Sequence, residues 1–254
     1  MRLEGKIAVI TGVGSGMGRA MAVRFSAEGA KVVGLEWNEG TLTETAEMLR
    51  AAGGEFLGVQ GNVAAQADVQ RLVESAAGKY GRIDVLCNNA GVMDLNQGVA
   101  ELDDAVWERV MGINVNGPMY ATRLAVPMMV AQGGGSIVNT ASVAGLHGGA
   151  AGVAYTVSKH GLIGLTRSTA WMYATQGVRC NAIAAGAVET NIMQSVDMSH
   201  MDAQGSARTG AYTGIIPGML KAEDIASLAL FLASDEAVKI NGAVIAADAG
   251  WTAA

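Results

Sequence analysis

Short apolar runs rich in β-branched residues recur along the chain, and between them apolar residues fall three or four positions apart. Residues 7–10, 31–35, 56–61, 83–87, 136–140, 178–184 and 243–247 read as strands. Runs such as Ile7-Ala8-Val9-Ile10 do not alternate with polar residues, which marks a strand buried on both faces in a parallel sheet. Helices fill the intervals. One runs from residue 20 to Glu28-Gly29, and one over 41–52 opens with the capping-box spacing Thr41-x-x-Glu44. Another, over 68–79, keeps Val69, Leu72, Val73 and Ala76 on one face. A helix opening at Asp103-Asp104 contains Pro118, which predicts a kink that frees the carbonyl of Asn114, four residues back. Pro127 does the same for Arg123. Helices over 155–175 and 223–233 complete the series. The alternation predicts an α/β fold: one doubly wound parallel sheet of about seven strands with helices on both faces, a single domain over residues 1–254. Residues 191–218 are the least regular part. A substrate loop or lid is expected over 188–218, with a methionine-packed surface helix pair as the alternative.

Composition narrows the partners. A hydrophobic share of 50% over 254 residues supplies a large core. The net charge is −6 and no Lys/Arg cluster stands out, so neither nucleic acid nor an anionic membrane is an expected partner. Cys87 and Cys180 lie in apolar runs and imply no disulfide framework. With no signal-peptide pattern and no long uninterrupted apolar stretch, a cytoplasmic location is expected. No His/Cys/carboxylate cluster has zinc spacing, and His160 and His200 carry no functional reading.

Chemistry enters at the ends of the predicted strands. After the first strand comes Thr11-Gly12-Val13-Gly14-Ser15-Gly16-Met17-Gly18, directly before a helix. Glycines there permit a tight turn and a close backbone approach, and the helix N-terminus offers free N–H groups to a pyrophosphate, so a dinucleotide is the expected ligand. The second strand ends at Glu36-Trp37. A carboxylate at that place suits ribose hydroxyls and repels a 2′-phosphate, and neither Ser15 nor Trp37 supplies a cation to hold one, so NAD is favoured over NADP. The fourth strand ends in Asn88-Asn89-Ala90-Gly91, a turn that can cover a cofactor at the point where strand order reverses. Ser142 follows the fifth strand, and Tyr155 and Lys159 lie one helical turn apart. An ammonium beside a phenol favours the phenolate and makes it a usable acid/base.

Taken together, the glycine loop, Asn88–Gly91, Asn114, Ser142 and Tyr155-x-x-x-Lys159 resemble the short-chain dehydrogenase/reductase family over the whole chain, with its Rossmann-like sheet. The resemblance implies an NAD-dependent oxidoreductase interconverting a secondary alcohol and a ketone. Tyr155 would exchange a proton with the substrate oxygen, and Lys159 would lower its pKa and bind the nicotinamide ribose. Ser142 would orient the substrate oxygen, and Asn114 would hold a relay water. Cofactor contacts are expected from Gly12, Ser15, Gly16, Met17, Gly18, Glu36, Trp37, Asn62, Val63, Asn89, Ala90, Gly91, Tyr155, Lys159, Gly186, Val188 and Thr190. Pocket walls are expected from Met93, Val143, Leu146, His147, Val153, Val188 and Met193. Of these, Met93, His147 and Met193 join Ser142 and Tyr155 as candidate substrate contacts. That mostly apolar lining suits an uncharged substrate, with cyclic alcohols and ketones included.

Three features depart from the family pattern or need structure to judge. Asn62 stands where an Asp is usual. Ala185 replaces a Pro, which is expected to loosen the turn beside the nicotinamide. Asp248-Ala249-Gly250-Trp251 resembles a C-terminal segment that often packs across a subunit interface, and the family expectation is a homotetramer. The competing reading is a dinucleotide-sensing binding protein without turnover, which the intact Tyr155/Lys159 pair disfavours. A nucleoside-cofactor methyltransferase would leave that pair and Ser142 unexplained.

Overall fold

The structure, a computed structural model, describes residues 1–253. Among them, seven parallel strands form one sheet: β1 (Ile7–Thr11), β2 (Lys31–Glu36), β3 (Phe56–Gln60), β4 (Val85–Asn88), β5 (Gly135–Thr140), β6 (Val178–Ala185) and β7 (Val244–Ala247). Their order is β3-β2-β1-β4-β5-β6-β7, so the winding direction reverses between β1 and β4. This is the expected doubly wound α/β sheet. The helices are α1 (Gly16–Ala27), α2 (Glu39–Ala51), α3 (Gln66–Tyr80), α4 (Asp104–Met111), α5 (Gly117–Ala131), α6 (Val153–Tyr173), α7 (Ala203–Thr213) and α8 (Ala222–Ala233).

The non-alternating strands are explained by two cores, one on each face. Ala8, Ile10, Val32, Val85, Cys87 and Val138 point into a cluster completed by Met21 and Phe25 of α1 and Ile225 and Leu230 of α8. Their neighbours Ile7, Val9, Val33, Leu86 and Ile137 point the other way, onto Val69 and Leu72 of α3 and Ala121 and Met129 of α5. Fully buried side chains of this size contribute about 1.5–3 kcal/mol each. Of the described helices, none is long and apolar enough to cross a membrane.

The structure adds detail at three places. The helix expected to run through Pro118 with a kink is two helices joined by a π-turn, Gly112–Asn116. The Gly117 N–H reaches back five residues to the Gly112 carbonyl, and Pro118, which has no N–H to donate, follows directly on that widened turn. The irregular stretch 191–218 holds two 3₁₀ turns, Asn191–Ser195 and Met198–His200, followed by α7. One surface helix thus stands where a helix pair was the alternative, its Gly205, Ser206, Thr209 and Gly210 being weak helix formers. Ala185 pairs with Ala247, and the Gly186 N–H donates to the Ala247 carbonyl at 2.9 Å.

A buried polar chain ties the central strands to α6. Asn88 Nδ2 donates to Asn139 Oδ1 at 2.8 Å and to Thr122 Oγ1 at 3.2 Å, while Asn139 Nδ2 donates to Thr166 Oγ1 at 2.8 Å. Asn139→Ala leaves the Asn88 amide and the Thr166 hydroxyl short of a partner in the core. A loss of about 2–4 kcal/mol is expected, a fall in Tm of roughly 5–10 °C on thermal melting.

Candidate active site

The candidate residues gather at the carboxyl ends of β1, β4 and β5, where strand order reverses. Thr11, the last residue of β1, accepts on its Oγ1 from the N–H groups of Asn89 (3.0 Å) and Ala90 (3.1 Å). Asn89 Nδ2 returns a bond to the Thr11 carbonyl at 3.1 Å. The Asn88–Gly91 turn is thereby fastened over the glycine loop.

That loop forms a cradle with little room for side chains. A Cβ on Gly18 would overlap the Gly12 carbonyl oxygen. Gly16 has φ +49°, and a Cβ there would meet the Thr190 Cβ at 3.1 Å, so Thr190 lies directly over the start of α1. Ser15 is the N-cap of α1, makes no side-chain cap bond, and no acidic residue occupies the first turn. Free N–H groups and the helix dipole therefore face the cradle. At its side, Glu36 is buried, and Oε2 accepts from Gly14 N at 2.9 Å and Oε1 from Asn38 N at 3.1 Å. A side chain at Gly14 would collide with that carboxyl, its Cβ falling 2.6 Å from Glu36 Cδ. These features fit a dinucleotide: a backbone cradle for the pyrophosphate and an aimed carboxylate for the ribose.

The remaining predicted cofactor residues surround the same edge. Asn62 uses Oδ1 to accept from Ala64 N at 2.9 Å, and Val63 is buried against Gly117. Trp37 is largely exposed beside Glu36. Gly186 follows β6, and Val188 bridges to Leu220 and packs on the α1/α8 core. One charged group was not weighed in the sequence: Arg19 of α1 donates to the Gly14 carbonyl and to Thr45 Oγ1 (3.0 Å) and pairs with Glu44 at 2.8 Å. Its guanidinium is held by this chain's own groups.

Across the switch point, α6 presents Tyr155 in its first turn and Lys159 one turn later, both buried. Lys159 Nζ donates to the Thr140 carbonyl at 2.9 Å and sits 5.4 Å from the Tyr155 ring centroid. Ser142 caps the short turn Val143–Gly145, its Oγ accepting from Ala144 N at 3.1 Å. Burial pushes the Tyr155 phenol up to about 12; the adjoining Ser142 hydroxyl pulls it down, and the charge of Asp94 adds to the rise. Burial pushes Lys159 down to about 8. This differs from the sequence expectation. Among the groups of this chain, desolvation dominates both residues, and Lys159 spends a donor on a carbonyl.

Asn114 is fully buried, and its side chain is used structurally. Oδ1 accepts from Val92 N (2.9 Å), while Nδ2 donates to the Val92 carbonyl (3.0 Å) and to Ser158 Oγ (3.1 Å). The predicted walls divide. Met93 packs with Ala144, Ala150, Ala151 and Tyr155, whereas Val188 belongs to the α1/α8 side. Val143 is buried, Leu146 and Met193 are partly exposed, and His147 lies 6.3 Å from the Tyr212 ring. Trp251 stacks on Tyr212 at 4.8 Å and donates to its carbonyl, so within this chain the C-terminal segment packs on α7. The sequence missed Asp94, Arg109 and Tyr212, because their partners come from segments remote in the chain. Arg109 donates to the carbonyls of Met93 (2.7 Å) and Ser195 (3.3 Å), joining α4 to the 93–97 loop and to the 3₁₀ turn.

Comparison with known proteins now decides the family. A family model described as enoyl-(acyl carrier protein) reductase matches residues 12–252. The 3beta-hydroxysteroid dehydrogenase 2 of Eggerthella lenta is 42% identical over 253 residues, covering 99% of this chain and 96% of that protein. The chain belongs to the short-chain dehydrogenase/reductase family. Short-chain dehydrogenase/reductase structures match it closely throughout. Levodione reductase aligns with a TM-score of 0.90 at 34% identity, covering 100% of both chains. A short-chain dehydrogenase from Mycobacterium paratuberculosis bound to NAD gives 0.91 at 30% identity, also covering 100% of both. A Beutenbergia cavernae structure with NADP bound at low occupancy gives 0.86 at 35%, covering 99% of this chain and 98% of that one. The protein is therefore an oxidoreductase of a family that uses a nicotinamide dinucleotide.

The buried lysine has a consequence for stability. Its folded pKa lies below the usual 10.5, so between about 8 and 10.5 the unfolded chain binds more protons than the folded one. Stability from this group rises with pH across that window and is lowest below it. Lys159→Met removes the burial penalty and loses the bond to Thr140. Without cofactor, the variant is expected to melt higher than the parent at about pH 7, by on the order of 2 kcal/mol, with the gap closing by about pH 10. A lower Tm at neutral pH would contradict the assignment.

Proposed function

We propose that the protein is an NAD(H)-dependent dehydrogenase/reductase for an uncharged secondary alcohol or ketone on an alicyclic skeleton, a hydroxysteroid being the first candidate. The observation that carries this reading is the buried Ser142–Tyr155–Lys159 group beside the glycine cradle. Support for the substrate class comes from the apolar surroundings of Tyr155 (Met93, Ala144, Ala150 and Ala151) and from relatives named for a hydroxysteroid and for levodione. Residues 188–218 serve as the substrate lid of a single domain, with His147 and Met193 at its mouth.

When bound, NAD accepts or returns the hydride. Gly12, Ser15, Gly16, Met17 and Gly18 would hold its pyrophosphate end, Glu36, Trp37, Asn62 and Val63 its adenosine end, and Asn89–Gly91, Lys159, Gly186, Val188 and Thr190 the nicotinamide half. Tyr155 exchanges the proton on the substrate oxygen while Ser142 donates to that oxygen and fixes its direction. Below about pH 8, Lys159 is an ammonium, and its charge favours the phenolate as Tyr155 gives up its proton. Asn114 holds Val92 and Ser158 in place, and its main-chain carbonyl is the site for the relay water. A homotetramer is part of the same proposal, supported by exposed Trp171 and Met172 at the end of α6.

Two measurements test it. With a 3-hydroxysteroid or a cyclic secondary alcohol and NAD, absorbance of the reduced nicotinamide should grow, and Tyr155→Phe should lower kcat by about 10²–10⁴-fold with NADH binding kept. Full turnover by that variant would remove Tyr155 from proton transfer. The second concerns the cofactor. Setting a 2′-phosphate against the buried Glu36 costs several kcal/mol, so kcat/KM with NAD should exceed that with NADP by on the order of 100-fold. Equal values would refute the role given to Glu36.

A further inference from the structure

Asp94 is a carboxylate with 2% exposure, in the loop after β4, and no lysine or arginine pairs with it among the described residues. Three backbone N–H groups take that place. Oδ1 accepts from Asn96 N at 3.1 Å and from Gly152 N at 3.2 Å, and Oδ2 accepts from Tyr155 N at 2.9 Å. Gly152 is the N-cap of α6 and has no side chain to cap the helix. Asp94 does that work from a loop some sixty residues earlier, and the packing leaves no alternative: a Cβ on Gly152 would fall 2.6 Å from Asp94 Oδ2.

The loop that carries Asp94 is also the seat of the 188–218 segment. Asp202 N donates to the Leu95 carbonyl at 2.9 Å, Met93 N donates to Ser195 Oγ at 3.3 Å, and a Cβ on Gly205 of α7 would overlap the Asn96 carbonyl. One carboxylate thus joins the backbone of the candidate acid/base to the platform on which the lid rests.

We infer that Asp94 is a positioning residue for Tyr155: by capping α6 from the lid platform, it sets where the phenol stands relative to Ser142. This rests on the proposed function. It also has an electrostatic side. The charged groups facing Tyr155 are Lys159 from its own helix and Asp94 from the loop after β4, and the residue facing it from the turn after β5, Ser142, is neutral. Asp94 opposes ionisation of the phenol, behind the larger effect of burial.

Asp94→Asn separates these roles from simple packing. The amide oxygen keeps the bonds to Asn96 and Gly152, while its NH₂ meets the Tyr155 N–H donor to donor. Amide exchange followed by mass spectrometry over residues 152–158 should quicken. In the oxidation direction, kcat should fall by about 10–100-fold with KM and NADH affinity unchanged. The pH midpoint of kcat should move down, because the lost charge held the phenol up. Asp94→Glu keeps the charge and displaces the carboxylate, so kcat should fall with the midpoint in place. It also carries the test if Asp94→Asn does not fold. Faster exchange and a lower Tm with kcat and midpoint unmoved, or a wild-type kcat in Asp94→Glu, would overturn the inference. Absence of turnover by the parent enzyme would instead count against the proposed function. Exchange over 152–158 then decides the positioning claim alone, and unchanged exchange in Asp94→Asn would defeat it.

Discussion

A hydrogen bond from Lys159 Nζ to the carbonyl of Thr140 joins α6 to the end of β5, one residue beyond the Asn139–Thr166 bond. Thr140 ends β5, and Ser142 lies two residues beyond it. That bond and the Asn139–Thr166 bond together hold α6 against the strand that leads to Ser142. A lysine loses solvation when buried, and a main-chain carbonyl is one of the few groups that can recover part of it without a counter-charge. The same burial that makes the ammonium costly makes the phenol reluctant to ionise. Both groups are held away from their ordinary titration ranges, each toward its own neutral form. A cationic partner next to such a pair has a large effect, since charges in a dry site interact far more strongly than in water.

The opposite side of the switch point has a complementary design. The glycine cradle exposes N–H groups at the start of α1, and Glu36 is oriented before any ligand arrives because Gly14 and Asn38 hold both of its oxygens. Preorganised groups of this kind spend little entropy on binding. Arg19, the nearby cation, is bound to Gly14, Thr45 and Glu44.

The two-faced burial was legible because it depends on composition: β-branched runs without alternation can only be covered on both sides. Tyr155, Lys159, Ser142 and the glycine loop were legible because spacing and strand ends locate them. What was hidden depends on contacts between distant segments. Nothing in Met93-Asp94-Leu95 says that its carboxylate will cap a helix near residue 152. The π-turn before Pro118 was visible only as a break, since sequence reveals the missing N–H and not how the chain rearranges around it. The α7 helix was legible only as an alternative to a loop. It buries no residue fully, so it has no apolar stripe to betray it.

That weakness in α7 matters for how the pocket is built. A helix without a buried stripe stays in place only through its ends and polar contacts. Asp202 caps it and bonds Leu95 at its start, and near its end Tyr212 lies under Trp251. Upstream, Ser195 meets Met93 and Arg109, and Thr190 lies over Gly16. The segment is thus fastened to the cofactor cradle, to the loop after β4 and to the C-terminal turn, while its middle is held by few apolar contacts. Segments of this type open at low free energy. The order of the whole span is therefore set at its ends, by the Asp94 loop, the start of α1 and the C-terminal turn.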